Sequence, residues 1–138
     1  MKILILNGPN LNLLGTREPE LYGDVTMEDI LNELTQEFSK DSILYFQSNS
    51  EAELLEKIHQ NDFDALVINP GAFTHYSYAL ADALKNCKQP KIEVHLTHIY
   101  QREAFRHKSV TAPYTNGVIT GFGKEGYRLA LLFLTGQK

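Results

Sequence analysis

One cysteine, Cys87, is all the chain has. A lone cysteine forms no internal disulfide, so the fold does not depend on an oxidising compartment. Its place near a predicted helix end suits a small half-buried side chain better than a nucleophile. Positive charge is also scarce: 13 Lys and Arg against 17 Asp and Glu give a net charge of −4. That excludes a global basic footprint for nucleic acid, and a small anionic ligand would need a local cluster of donors instead. Long apolar runs are missing. Met1 and Lys2 lead into a short apolar stretch that falls well below a signal-peptide core or a membrane span. The expected location is the cytoplasm, with no membrane partner. Repeats, low-complexity tracts and linkers are absent, and the length fits a single domain over 1–138.

What the sequence does contain is a regular alternation of short apolar runs and amphipathic stretches. The runs at 3–6, 43–46, 65–68, 92–96 and 118–120 read as buried strands. Between them lie helical patterns. Residues 26–38 carry Ile30, Leu31, Leu34 and Phe38 on one face, with Thr26 and Asp29 as a capping box. Residues 50–60 carry Leu54, Leu55 and Ile58, with a better box in Ser50 and Glu53. Residues 76–86 present Leu80, Ala83 and Leu84, and residues 125–134 present Leu129, Leu132 and Phe133. A shorter helix is expected at 102–107. Strand and helix in turn, five times over, predict an α/β fold with a parallel sheet covered on both faces. With five strands the expected order is the flavodoxin-like 2-1-3-4-5, a three-layer sandwich. From 7 to 25 no helix or strand is convincing. A loop that long in a small domain is usually functional or disordered. Its Leu11, Leu13, Leu14, Leu21 and Tyr22 argue against plain disorder.

In open α/β sheets ligands bind beyond the carboxyl ends of the strands. Those ends read Asn7-Gly8-Pro9-Asn10, Gln47-Ser48-Asn49, Asn69-Pro70-Gly71 with Thr74 and His75, His95-Leu96-Thr97-His98, and Gly121-Phe122-Gly123. Amides, hydroxyls and imidazoles dominate, a composition suited to a small hydroxy acid or sugar-like ligand. Any one of these residues is more simply an ordinary turn former; five such loops together weaken that account. The long loop adds Arg17 and Tyr22. A guanidinium beside a phenol favours the phenolate, which would make Tyr22 a usable base for a carbon-bound proton. Packing is the blander role for a loop tyrosine. No carboxylate stands directly at the strand ends to compete for the part.

Three other signals carry less. Gly121-Phe-Gly-Lys-Glu-Gly126 fits the dinucleotide pattern, but no acidic ribose partner follows it; a tight turn with close helix packing explains it. His95 and His98 have metal-like spacing, but no Cys or carboxylate set completes a site. Lys2 and Lys91 sit at strand starts, the wrong end for an imine-forming lysine, and Lys108 and Lys124 are weaker candidates.

The run N-G-P-N-L-N-L-L-G-T-R-E-P-E-L-Y-G at 7–23 resembles the signature opening of type II 3-dehydroquinate dehydratases. The similarity continues through F-Q-S-N at 46–49, I-N-P-G-A-F-T-H at 68–75 and A-L-A-D-A-L at 79–84. It runs on through I-E-V-H-L-T at 92–97, R-E-A-F-R-H at 102–107 and G-V-I-T-G-F-G at 117–123. The resemblance implies a cofactor-free, metal-free lyase of the shikimate pathway that dehydrates 3-dehydroquinate to 3-dehydroshikimate by anti elimination through an enolate. It implies Tyr22 as base, Arg17 as stabiliser of the phenolate, Asn10 as holder of a water at the enolate oxygen, and His95 as general acid with Glu93 behind it. Asn69 and the backbone of Leu96 and Thr97 would hold the substrate carboxylate, and His75 and Arg106 the ring hydroxyls. Asp82 would reach in from a neighbouring subunit of a homododecamer, a tetramer of trimers. The loop at about 15–24 would be a lid. His98 departs from the family's usual Asn, Ser50 and Ala52 from His and Gly, and Thr97 from the frequent Ser. His98 is the departure expected to bear on packing beside the carboxylate site. The competing readings are a flavodoxin-like binder of FMN or a nucleotide and a degenerate family member. Pro9, which removes a backbone donor, counts against the first; the intact Arg17, Tyr22, Asn10, His95 and Arg106 count against the second.

Overall fold

Alternation along β1 (Lys2–Asn7) sends Ile3 and Ile5 to one side and Leu4 and Leu6 to the other, and all four are buried. The same split recurs in β3 (Ala65–Asn69) and β4 (Lys91–His95), the inner strands of a five-stranded parallel sheet. β2 (Ser42–Gln47) and β5 (Gly117–Thr120) form the edges, giving the order β2-β1-β3-β4-β5. The computed structural model describes residues 1–16, 20 and 24–136.

Each face of the sheet has its own core. Ile3, Ile5, Ala65, Val67, Ile92 and Val94 pack against α1 (Met27–Glu37) and α4 (Glu125–Thr135). Leu4, Leu6, Leu66 and Ile68 pack against α2 (Glu51–Gln60) and α3 (Tyr78–Asn86). This is the expected flavodoxin-like three-layer arrangement, with two of these helices packed on each face.

Local chemistry explains where the helices begin. Thr26 Oγ1 accepts the Asp29 N–H at 3.2 Å while the Asp29 carboxylate accepts the Thr26 N–H at 3.1 Å, closing the expected capping box. The box expected at Ser50 and Glu53 is only half made. Ser50 Oγ accepts the Glu53 N–H, but the Glu53 carboxylate is taken by the Ser48 hydroxyl, which itself accepts the Ser50 N–H at 2.9 Å. Lys91, at the strand start, caps the end of α3 instead: its ammonium donates to the carbonyls of Cys87 and Gln89 at 2.8 and 3.1 Å.

Three expectations need correction. β2 and β5 are edge strands rather than fully buried ones, each paired on one side among the described residues and leaving Tyr45 and Val118 exposed. α4 buries Tyr127, Ala130, Leu131 and Leu134, while Leu129 and Phe133 face outward. Both stripes are apolar, so hydrophobicity alone does not choose. Gly126 does: a Cβ there would sit 3.0 Å from Val94 Cγ1, so this side alone lets the helix backbone close on the sheet. Finally, 102–107 is not one helix but the end of a 3₁₀ turn at Ile99–Gln101 and a second at Ala104–His107. Arg102 is extended, and its carbonyl, which an α-helix would give to the Arg106 N–H, is taken by His107 Nε2 at 3.0 Å. Among the described residues no helix is long and apolar enough to cross a membrane.

Candidate active site

β1 and β3 end side by side, with Asn7 opposite Asn69. The loops that follow interlock through two glycines. The Gly8 N–H donates to the Asn69 carbonyl at 2.8 Å, and a Cβ on Gly8 would lie 2.3 Å from the Pro70 carbonyl oxygen. Gly71 is left-handed at φ 61°, with Pro9 O 3.1 Å from where its Cβ would be. No other residue fits both approaches. The Gln47-Ser48-Asn49 loop braces this pair from β2. Gln47 Nε2 donates to the Gly8 carbonyl at 3.1 Å, and Asn49 Oδ1 accepts the Asn10 N–H at 3.0 Å. Asn10 is thereby held in the left-handed region at φ 70°.

Beneath the interlocked loops, Tyr127 rises from α4 with its hydroxyl between the two strand-end amides. It donates to Asn7 Oδ1 at 2.8 Å and accepts from Asn69 Nδ2 at 3.1 Å. Asn69 Oδ1 accepts the Gly71 N–H at 3.2 Å, which fixes which end of the amide faces which neighbour. Burial drives the Tyr127 phenol far above its usual pKa, so this hydroxyl keeps its proton.

On the opposite face of β4, Glu93 and His95 lie two residues apart and so point the same way. Glu93 is fully buried and accepts from His95 Nε2 at 2.8 Å. Burial pushes the Glu93 carboxyl up, but the His95 N–H and charge and the hydroxyls of Thr111 and Ser109 outweigh it and hold the group below its usual value. His75 closes the far side, its Nδ1 against the Lys108 carbonyl at 2.8 Å and its ring edge-on to Phe105. Burial lowers its pKa, and the nearby charges of His95 and Arg106 act in the same direction. Arg106 lies over the Phe105 ring at 4.6 Å and pairs with Glu103 at 3.2 Å.

These groups surround a pocket of about 190 Å³ at the carboxyl edge. Asn10, Asn69, His75, His95, Leu96, Thr97 and Arg106, seven of the ten residues expected from sequence, line it. Asp82 does not; it is exposed on the outer side of α3. Arg17 and Tyr22, with most of the loop expected as a lid, lie outside the described residues. His98 belongs to a neighbouring cavity of about 350 Å³ that shares Leu96, Thr97 and Arg102 with the first. Gly121 and Gly123 tie their turn to the His95 and Leu96 carbonyls, a structural use of the glycine pattern.

Sequence reasoning missed Arg102, which lines both cavities and donates to Thr97 Oγ1 at 3.2 Å. Its spacing of four from Arg106 was a usable signal. It also missed Tyr127, which reads as one more core aromatic, and the hydroxyls around Glu93, which look like ordinary turn residues. Among the described residues no group of three or more His, Cys, Asp or Glu could hold a metal ion.

Comparison with known proteins finds similarity over nearly the whole chain. The family model described as dehydroquinase class II matches residues 1–135. The 3-dehydroquinate dehydratase of Thermotoga petrophila is 51% identical over 136 residues, 97% of this chain and 94% of the relative. That of Carboxydothermus hydrogenoformans is 53% identical over 138 residues, covering 97% and 90%. The crystal structure of type II dehydroquinase from Butyrivibrio crossotus matches with a TM-score of 0.94 at 45% identity, over 98% of this chain and 97% of the other. That from Propionibacterium acnes gives 0.93 at 42% identity, over 99% and 98%. With the family model, the relatives and the solved structures all in agreement, this chain belongs to the class II dehydroquinase family.

Proposed function

We propose that the chain, acting as one domain over 1–138, dehydrates 3-dehydroquinate to 3-dehydroshikimate in aromatic biosynthesis in the cytoplasm. The observation that carries the reading is the single pocket in which Asn10, Asn69, His75, His95 and Arg106 converge from three strand ends and the 104–107 turn. Relatives about half identical over nearly the whole chain bear the matching name.

The Tyr22 phenolate takes the C2 proton, and that electron pair moves through C3 onto the carbonyl oxygen as an enolate. A water held by Asn10 meets the developing charge, an oxyanion-hole role. Collapse of the enolate expels the C1 hydroxyl, which leaves as water with a proton from His95. Glu93 fixes Nε2, so Nδ1 is the nitrogen that serves the pocket. Arg17 keeps Tyr22 ionised. Asn69 and the Leu96 and Thr97 backbone hold the carboxylate, while His75 and Arg106 hold ring hydroxyls. The loop at about 15–24 closes over the substrate and excludes water. Loss of a general base costs roughly a hundredfold to ten-thousandfold in rate. Tyr22→Phe should therefore bind substrate normally and lose nearly all kcat; more than about a tenth of wild-type kcat in the purified variant would refute the assignment.

The active species is proposed to be a homododecamer in which Asp82 completes the pocket of a neighbour. Asp82 shares an exposed helical face with Tyr78, which is 68% exposed, and Phe133 on α4 is 64% exposed. Large aromatics left open to this degree support an assembly. Mixing inactive Tyr22→Phe and Asp82→Ala proteins under subunit exchange should restore activity in mixed oligomers; no recovery would count against a shared site.

A further inference from the structure

Glu93 is a carboxylate with no solvent access, and it is held by far more than His95. Thr111 donates its hydroxyl to Glu93 Oε1. Ser109 donates to Oε2 at 2.9 Å, and Thr74 Oγ1 stands 3.2 Å from the same oxygen. Thr74 in turn lies 2.7 Å from both the Ser109 and Thr111 hydroxyls. Thr111 is thus the donor on Oε1, while the Ser109 hydroxyl and the His95 N–H donate to Oε2 with Thr74 beside it, so both oxygens of the carboxylate are held. Each hydroxyl has one proton. With the Ser109 and Thr111 protons given to Glu93, those two oxygens are acceptors, and the Thr74 proton closes the cluster.

This cluster joins three segments of the pocket wall. Thr74 sits in the 3₁₀ turn Gly71–His75 next to His75, and its carbonyl accepts the Val110 N–H at 2.7 Å. Ser109 and Thr111 follow the turn that carries Arg106, and the Ser109 hydroxyl accepts the Ala112 N–H at 2.9 Å. Glu93 and His95 belong to β4. A buried carboxylate held through both oxygens cannot turn away from its imidazole.

We propose that Thr111, with Ser109 and Thr74 beside it, is a positioning residue: its hydroxyl locks the Glu93 carboxylate, and through it the His95 ring, in the orientation that serves the pocket. The inference rests on the reading of His95 as the general acid. Removing the Thr111 hydroxyl frees Oε1, lets the carboxylate rotate, and loosens the imidazole without touching substrate.

The test is a double-mutant cycle in the full-length protein. Thr111→Val keeps the side-chain shape and Thr111→Ser keeps the hydroxyl. Thr111→Val should lower kcat roughly tenfold to a hundredfold, the scale for a misplaced catalytic group, with little change in KM, and should broaden or lose the NMR signal of the His95 Nε2 proton. Thr111→Ser should recover most of kcat and the signal. In a His95→Ala background Thr111→Val should have no further effect on kcat. An equal loss in both backgrounds, or a fall in Tm with kcat of the folded protein unchanged, would overturn the inference. If Thr111→Val does not fold, Ser109→Ala carries the same comparison. A His95→Ala protein with wild-type kcat would instead remove the reading of His95 as acid, a result separate from the cycle.

Discussion

The Tyr127 hydroxyl bridges two buried amides, and its removal leaves an unmatched donor on Asn69 and an unmatched acceptor on Asn7. A buried polar group left unpaired costs about 1–3 kcal/mol. Tyr127→Phe should lower unfolding free energy on that scale in urea titration, without change in the denaturant slope. The phenol also has a pH signature. Its folded pKa lies above the unfolded one, so its contribution is complete below about pH 10 and declines as the unfolded chain begins to ionise. Glu93 has the opposite sign. Its folded pKa is depressed, so its contribution is present above the unfolded carboxylate value, near 4.3, and disappears as pH falls through the folded value. Unfolding free energy measured from about pH 5 down to about pH 3 should therefore fall more steeply for wild type than for Glu93→Gln; parallel curves would refute the linkage. At this scale the strand-end residues were legible, because position after a strand and polar chemistry coincide at Asn69, His75 and His95. Tyr127 and Thr111 were not, because their partners are distant in sequence and only the fold brings them together.

Elements were legible wherever a pattern had one solution. The Thr26–Asp29 box starts α1 as expected, and Thr26→Ala should cost about 0.5–2 kcal/mol in thermal or chemical unfolding. Where two solutions compete, the sequence pattern misleads. Two apolar stripes run along α4, and the choice between them rests on the backbone approach at Gly126. At 102–107 a short helix was expected, but His107 takes the carbonyl that would propagate it. The interlocked loops after β1 and β3 offer a sharper test of element geometry. Gly8→Ala places a methyl 2.3 Å from the Pro70 carbonyl oxygen, and the two backbones must separate. Overpacking of this kind costs about 1–3 kcal/mol, and here it also displaces Asn69 from the pocket. The variant should show a lower Tm together with a raised KM.

For the whole molecule, the layers followed from alternation, while the strand order was the flavodoxin-like expectation for five strands, which right-handed crossovers restrict without fixing; the sheet has that β2-β1-β3-β4-β5 order. What alternation does not encode is which faces meet another copy, because exposed aromatics such as Tyr78 and Phe133 carry no mark of their partner. An elimination that starts from the Tyr22 phenolate needs no lysine imine. It is tested most directly by following the ultraviolet absorbance of the conjugated enone-carboxylate product, with purified protein and 3-dehydroquinate, before and after borohydride treatment in the presence of substrate. Product should form at the same rate in both samples. Inactivation by borohydride, or no product from folded, oligomeric protein, would contradict it.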